Sequence, residues 1–235
     1  MIFAVILAGG TGSRLKSSNL PKQFLPLGGK TVIQLTVEKF MHCNRFDKIV
    51  VALPQTWISY ARDVFKDSSY KEIEFCTGGG TRQESLYNAL IYIEKKYIIT
   101  DDCIVVSHDA ARPFVGMRIL HENIDITLKN GAVDTVIPAT DTIVESEDGQ
   151  WVSAIPKRTR MFQGQTPQSF RIRPFLAAYN SLDPSTLAEM TDAVKILRAC
   201  GIEVALVQGD PHNIKITYDY DIRLSNHILE SEAYD

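Results

Sequence analysis

Met1-Ile2-Phe3-Ala4-Val5-Ile6-Leu7-Ala8 runs directly into Gly9-Gly10-Thr11-Gly12-Ser13-Arg14. An unbroken apolar run without alternation reads as a strand buried on both faces, the habit of parallel sheets. The glycines after it let backbone N–H groups approach phosphate oxygens, and Arg14, with Lys22 further on, adds positive charge. The pattern recurs in Lys48–Leu53 and Cys103–Ser107, both continuous and β-branched, and more briefly in Glu72–Cys76. Between these strands, Thr31–Met41, Trp57–Phe65 and Arg82–Lys95 carry helical spacing, the last opened by a second glycine loop, Gly78-Gly79-Gly80. The alternation predicts an α/β fold, Rossmann-like, with a mostly parallel twisted sheet and helices on both faces. Ligands in such sheets bind beyond the carboxyl ends of the strands. Both glycine loops and His108-Asp109-Ala110-Ala111-Arg112-Pro113 fall there.

The pattern changes from Ala132. Residues 132–139 read as another strand, and 141–155 alternate imperfectly about the turn Glu147-Asp148-Gly149-Gln150. A polar hairpin on an α/β domain rarely has a core of its own, so 138–160 is expected to be an arm that grips a second copy of the chain. Glu189–Cys200 reads as a helix stopped by Gly201, Ile202–Val207 as the last strand and Asp219–Leu229 as the last helix. No repeat or linker divides the 235 residues, which predicts one domain over 1–235.

Composition removes several classes. Hydrophobic residues make up 45%, charged residues 23%, and net charge is -3, so the chain is neither disordered nor built on the basic footprint of a nucleic-acid binder. Anionic ligands must therefore be met by a few placed cations rather than by a global field. Cys43, Cys76, Cys103 and Cys200 are scattered without ligand spacing, which points to free thiols of a reducing cytoplasm rather than structural zinc. The apolar start lacks a basic flank and stops at Gly9-Gly10, too short for a signal peptide or a membrane span. His42, His121, His212 and His227 have no triad-like company, and His108 is expected to position its loop rather than ligate metal.

The first glycine loop matches neither common nucleotide fingerprint. Leu15 stands where the last glycine or alanine of G-x-G-x-x-G belongs, and the Gly-Lys-Ser/Thr of a Walker loop is absent. That weakens the reading as an NAD(P)-binding oxidoreductase. A non-catalytic nucleotide-binding domain is the other alternative of a different class.

Leu7-Ala8-Gly9-Gly10, Gly12 and Arg14, followed by Pro21-Lys22-Gln23-Phe24, resemble the nucleotide loop of the polyol-phosphate cytidylyltransferases. The resemblance runs nearly end to end. It takes in Gly79-Gly80-Thr81-Arg82 with Ser85, His108–Pro113, Asp141-Thr142, Arg158, Gln165-Thr166-Pro167-Gln168, Thr191-Asp192-Ala193 and Asn213-Ile214-Lys215-Ile216-Thr217. It implies transfer of a cytidylyl group from CTP to a polyol phosphate with release of pyrophosphate, assisted by Mg²⁺ held mainly on the triphosphate. It implies Arg14, Lys22 and Lys215 as catalytic cations. Ala8, Gly9, Gly10, Gly12, Gly79, Gly80, Arg82, Ser85, Asp109 and Ala110 would bind the nucleotide, with Asp109 as a candidate metal ligand. Arg112, Thr142, Arg158, Thr166 and Thr191 would form the acceptor shell, completed across a homodimer by the arms. Gly10 and Phe162–Gln168 resemble the enzymes acting on ribitol 5-phosphate, and Asp109–Arg112 those acting on 2-C-methyl-D-erythritol 4-phosphate. Ribitol 5-phosphate is the preferred acceptor and methylerythritol 4-phosphate the alternative.

Overall fold

Alternate residues of the first strand enter opposite cores, and this organises the molecule. In a computed structural model describing residues 1–10 and 20–231, β1 (Ile2–Leu7) lies inside a sheet. Ala4 and Ile6 pack on one side with Ile33, Val37 and Phe40 of α1 (Val32–His42). Phe3, Val5 and Leu7 pack on the other with Leu86, Leu90 and Ile93 of α3 (Arg82–Lys96). Burial of each Phe, Val, Ile or Leu side chain here favours folding by about 1.5–3 kcal/mol. Two-sided burial is why the strand shows no alternation.

Two short strands, β2 (Pro26–Leu27) and β3 (Lys30–Thr31), form a separate ribbon before α1, which Thr31 and Gln34 start with a reciprocal capping box. Next come β4 (Lys48–Leu53), α2 (Ile58–Val64) and β5 (Ile73–Thr77), then α3, β6 (Ile104–Asp109), α4 (Met117–Asn130) and β7 (Ala132–Pro138). The chain closes with β8 (Phe162–Arg171), α5 (Ile172–Ser181), α6 (Pro184–Glu189), α7 (Ala193–Ala199), β9 (Ala205–Gln208) and α8 (Asp219–Glu230). The seven-stranded sheet has the order β5-β4-β1-β6-β8-β7-β9. β8 alone is antiparallel to its neighbours. No helix among the described residues is long and apolar enough to cross a membrane.

The expected α/β architecture with a mostly parallel sheet is present, with local corrections. The expected strand 202–207 begins only at Ala205, and the expected helix 189–200 begins only at Ala193, as α7, with α6 before it ending at Glu189. Asp192 fixes that start, capping α7 by accepting from Lys195 N at 2.9 Å. Neither α4 nor α5 was anticipated, nor was β8, whose Pro167 argues against a central strand. The sheet accommodates that proline with a register shift between Asp134 and Val136 on β7. Thr135 Oγ1 donates to the Pro167 carbonyl at 2.6 Å, and buried Asn123 donates to Thr135 and accepts from Ser169. A bulge satisfied in this way re-aims side chains, here those of Gln165, Thr166 and Gln168.

Residues 141–155 form a less regular hairpin than expected, with one isolated bridge, Glu145 to Ala154. Its turn is built as the sequence suggests: Asp148 Oδ1 accepts from the backbone of Gln150 and Trp151, and Gly149 has φ +70°. Val144, Trp151, Val152 and Ile155 are exposed on it, Trp151 at 78%.

Candidate active site

The carboxyl ends of β1, β5 and β6 bring three loops together. Gly78 N donates to the Leu53 carbonyl, Ala8 N to Ala52 and Ala110 N to Leu7, so each loop leaves its strand still tied to a neighbouring strand. A recess of about 340 Å³ opens between them. Ala8, Gly9 and Gly10 line it from β1, and Lys22 from the turn that follows. Gly79, Gly80, Arg82 and Ser85 line it from the start of α3, Asp109 and Ala110 from β6, and Lys215 from the segment after β9. Gly12 and Arg14 lie outside the described residues.

Local structure explains how these groups are held. Phe24 is buried against Trp57 and Tyr60, and buried Gln23 donates to the Ala8 carbonyl at 2.7 Å. The turn is thus pinned on both sides, and Lys22 Nζ reaches across to the Ile216 carbonyl at 2.9 Å. In the second glycine loop, Ser85 Oγ accepts from Gly79 N at 2.9 Å and donates to the Thr81 carbonyl at 2.8 Å. Ser85 therefore shapes the loop with its hydroxyl. A Cβ at Gly79 would collide with the Glu84 side chain, and one at Gly9 would sit 3.2 Å from Ser85 Oγ. At Gly10 the nearest atom among the described residues would be Lys22 Cε at 3.8 Å, an ordinary contact.

Asp109 is the electrostatic centre. Its Oδ1 accepts from Arg82 Nε at 3.0 Å, and its Oδ2 meets Lys215 Nζ at 2.8 Å and lies 3.8 Å from Arg112 Nε. Burial alone would raise its pKa. The fields of Arg82, Lys215 and Arg112 outweigh burial and hold the carboxyl well below the usual carboxylate range. Arg82 also donates from Nη1 to Gln168 Oε1 at 3.3 Å, while its buried Nη2 meets no hydrogen-bond partner among the described residues. Arg82, Arg112 and Lys215 thus gather about one ionised carboxylate, with Lys22 on the same recess wall, a locally positive cleft in a chain of net charge -3.

A second recess of about 160 Å³ shares Arg82, Asp109 and Lys215 with the first and is also lined by Arg112, Thr166 and Thr191. Arg112 is largely committed to the fold, donating from Nη1 to the Asn213 carbonyl at 2.7 Å. Thr166 is committed as well. Its Oγ1 accepts from Asp109 N at 3.2 Å and lies 3.0 Å from His108 Nδ1. His108 Nε2 lies 2.9 Å from the Arg112 carbonyl, which can only accept, so the ring proton sits on Nε2 and Nδ1 accepts from Thr166. Burial pulls the His108 pKa down to about 4, so the ring is neutral at neutral pH. The relay curls residues 108–112 around His108 and orients Asp109, the loop-positioning role expected of this histidine.

Thr142 and Arg158 line neither recess. Both are exposed on the 140–160 segment, where Arg158 Nη1 donates to the Thr140 carbonyl. Sequence reasoning missed Gln23, Asp134 and Gln168 as site residues. Gln23 and Gln168 sit inside quoted motifs, but the signal in Asp134 is subtler: an acidic residue in the otherwise apolar run 132–138. No group of three or more His, Cys, Asp or Glu side chains suited to a metal occurs among the described residues.

A glycine-walled recess with a cation cluster at the carboxyl edge of a mostly parallel sheet is the arrangement of a nucleotide-handling transferase. Residues 2–231 match the family model of the 2-C-methyl-D-erythritol 4-phosphate cytidylyltransferases (IspD), and the chain belongs to that family of nucleotidyltransferases. It is 44% identical to the ribitol-5-phosphate cytidylyltransferase of Lactiplantibacillus plantarum, over 99% of this chain and all of the relative. The 4-diphosphocytidyl-2C-methyl-D-erythritol synthase of Anaerococcus prevotii superposes with a TM-score of 0.82 at 27% identity, covering 98% of this chain and 96% of that one. The 2-C-methyl-D-erythritol 4-phosphate cytidylyltransferase of Francisella tularensis gives 0.80 at 30%, covering 96% and 98%.

Proposed function

We propose that this cytidylyltransferase uses CTP and D-ribitol 5-phosphate to make CDP-ribitol and pyrophosphate. The observation that carries the reading is the pair of contiguous recesses sharing Arg82, Asp109 and Lys215. The larger suits a nucleoside triphosphate and the smaller a phosphorylated polyol, and the shared cations lie where two phosphates must meet. The full-length 44% identity to a ribitol-5-phosphate enzyme favours ribitol. The family model keeps methylerythritol 4-phosphate as the second reading.

In the proposed reaction an acceptor phosphate oxygen attacks the α-phosphorus of CTP. The new P–O bond forms as the bond to the β-phosphate breaks, and the electron pair leaves with pyrophosphate. The nucleophile is already anionic, so the protein's task is to bring two anions together in line and to neutralise charge growing on the α-phosphoryl oxygens. Lys22 and Lys215 are the proposed agents, with Arg14 beside them. On entry of substrate, Lys22 exchanges the Ile216 carbonyl for phosphate and Lys215 leaves or shares Asp109. The Gly9-Gly10 and Gly79-Gly80 backbone supplies fixed N–H donors.

Asp109 fits poorly as the core of a resident metal site, because both its oxygens already face cations. The donor set suits Mg²⁺ carried on the triphosphate, with Asp109 as at most one ligand, and the ion would add charge neutralisation at the phosphates.

Thr142 and Arg158 are proposed to act on the acceptor bound by a second copy of the chain, and the exposed Trp151, Val152 and Ile155 favour an arm-mediated dimer. The four free cysteines support a cytoplasmic setting. Pyrophosphate release should be followed with each common nucleoside triphosphate against ribitol 5-phosphate and methylerythritol 4-phosphate. Turnover with CTP and ribitol 5-phosphate above all other pairs is expected, and turnover with neither acceptor would overturn the proposal. Sedimentation should show a dimer at micromolar concentration, and a clean monomer would remove the arm from the site.

A further inference from the structure

The smaller recess is walled in part by Asp134, a charged group that the reaction does not call for. Asp134 stands on β7 and lines this recess together with Gln165, Thr191 and Asp192. Its Oδ1 accepts from Gln168 Nε2 at 3.1 Å, and Gln168 Oε1 in turn accepts from Arg82 Nη1. A single side chain therefore links the cation cluster to this carboxylate. Among the described residues no cation lies within ion-pair distance of Asp134. Burial, with the nearby Asp192 charge, pushes its carboxyl up to about 6, against the pull of Gln168 and Arg82. An asparagine would serve the Gln168 contact equally well without a charge to bury. A half-buried carboxylate without an ion-pair partner, on the wall of a substrate recess, is placed to meet a ligand.

The recess thus has two chemistries. Arg82, Arg112 and Lys215 suit a phosphate, and Asp134, Asp192 and Thr191 suit hydroxyl donors. Building on the acceptor reading above, we propose that Asp134 is the residue that reads the acceptor's hydroxyl chain, accepting hydrogen bonds from the polyol end remote from the phosphate. Ribitol 5-phosphate carries a hydroxyl on every carbon without phosphate. Methylerythritol 4-phosphate is shorter and presents a methyl branch. A site built to accept hydrogen bonds from hydroxyls rejects an analogue that lacks one far more strongly than an apolar pocket rejects an added methyl. Asp134 is therefore a specificity group, separate from the lysines that act on the reacting phosphorus.

The test compares wild type, Asp134→Asn and Asp134→Ala with both acceptors at saturating CTP, then varies CTP at saturating acceptor. Asp134→Asn should raise KM for ribitol 5-phosphate about tenfold or more and leave KM for CTP within about twofold. KM for methylerythritol 4-phosphate should move less, so the preference between acceptors narrows. If both folded variants keep KM for ribitol 5-phosphate within about twofold of wild type, the proposal fails alone. It also fails if KM for CTP rises as much as KM for the acceptor, since the residue would then be shaping the whole cleft. Wild-type turnover confined to methylerythritol 4-phosphate overturns the acceptor reading itself, and this proposal with it. Thermal unfolding of each variant separates loss of fold from loss of contact.

Discussion

Asp109, at the end of β6 and buried, and Asp134, near the start of β7 and half-buried, flank β8 in one sheet, and their charges are treated in opposite ways. Asp109 is surrounded by Arg82, Lys215 and Arg112 and stays ionised far below the usual range. Asp134 has an amide for company and is pushed up to about 6. Burial acts alike on both, and partners decide the outcome. The difference separates two jobs within one cleft. At the nucleotide side the carboxylate organises cations, holding them apart and aimed until a polyphosphate competes for them. At the acceptor side the carboxylate is itself the group on offer.

The largest effect expected from breaking this arrangement is on the cations. Lys215→Ala and Lys22→Ala should each lower kcat by about 10²–10³-fold, the range for removing one charge-stabilising donor from a transition state. Single-turnover measurements at saturating substrates would check it. Turnover near wild type in either variant would exclude that lysine from charge neutralisation. Arg82→Lys should cost less, because it keeps the charge and loses the fork that joins Asp109 to Gln168.

The next effect falls on the fold. Asp109→Asn leaves three cations crowded around a neutral amide. Removing one partner of a buried ion pair typically costs about 3–5 kcal/mol. Lys215 is 39% exposed, and solvent screens its share, so about 2–3 kcal/mol is expected here. The wild-type pKa is depressed, so its stabilisation is present above the unfolded-state value near about 4 and is lost as pH falls. The gap in denaturation midpoint between the two proteins should therefore be full at pH 7 and shrink below about pH 4. A gap independent of pH would show that the loss is packing rather than charge.

Smaller still is the relay behind Asp109. Thr166→Val deletes the hydroxyl between Asp109 N and His108 Nδ1 and should cost about 1–2 kcal/mol, the desolvation of one stranded donor. Turnover should fall while KM for CTP changes little, and Thr166→Ser should restore most of it. Equal loss in the serine variant would assign the effect to the missing methyl.

The two carboxylates also differ in how legible they were. Asp109 follows a clear apolar strand and sits between motif residues, so its place at the carboxyl edge followed from the strand pattern alone. The same pattern located the first glycine loop, because β1, β4 and β6 are buried on both faces and announce themselves as unbroken apolar runs; the second loop follows β5, a shorter and less buried strand. Asp134 was invisible for a physical reason. It faces the recess only because β8 inserts antiparallel between β6 and β7, and that strand contains Gly164 and Pro167. Local rules read those residues as loop, while side-chain hydrogen bonds from Thr135 and Asn123 make the irregular strand workable. Such compensation is long-range and leaves no local trace. The cations were legible as charges but not as a network, since Arg82 and Lys215 meet at Asp109 only through the fold.

The finest test of the comparison is a stability measurement of opposite sign. Wild-type Asp134 has a folded pKa of about 6, above its unfolded value, so protonation favours the folded state and that advantage is lost as pH rises through about 6. Asp134→Asn removes the ionisable group and keeps an acceptor for Gln168. At pH 8 the variant should be more stable than wild type by about 1–2 kcal/mol, a reduced conversion of the shift that allows for partial solvent access. Below about pH 4 the difference should vanish, because both side chains are then neutral. Asp109→Asn is destabilising above about pH 4 and Asp134→Asn stabilising above about pH 6, so the two difference curves should diverge with rising pH. Parallel curves would mean that the carboxylates share one electrostatic role. A stabilised Asp134→Asn with weakened hold on ribitol 5-phosphate would identify a charge kept at the expense of the fold for the acceptor's sake.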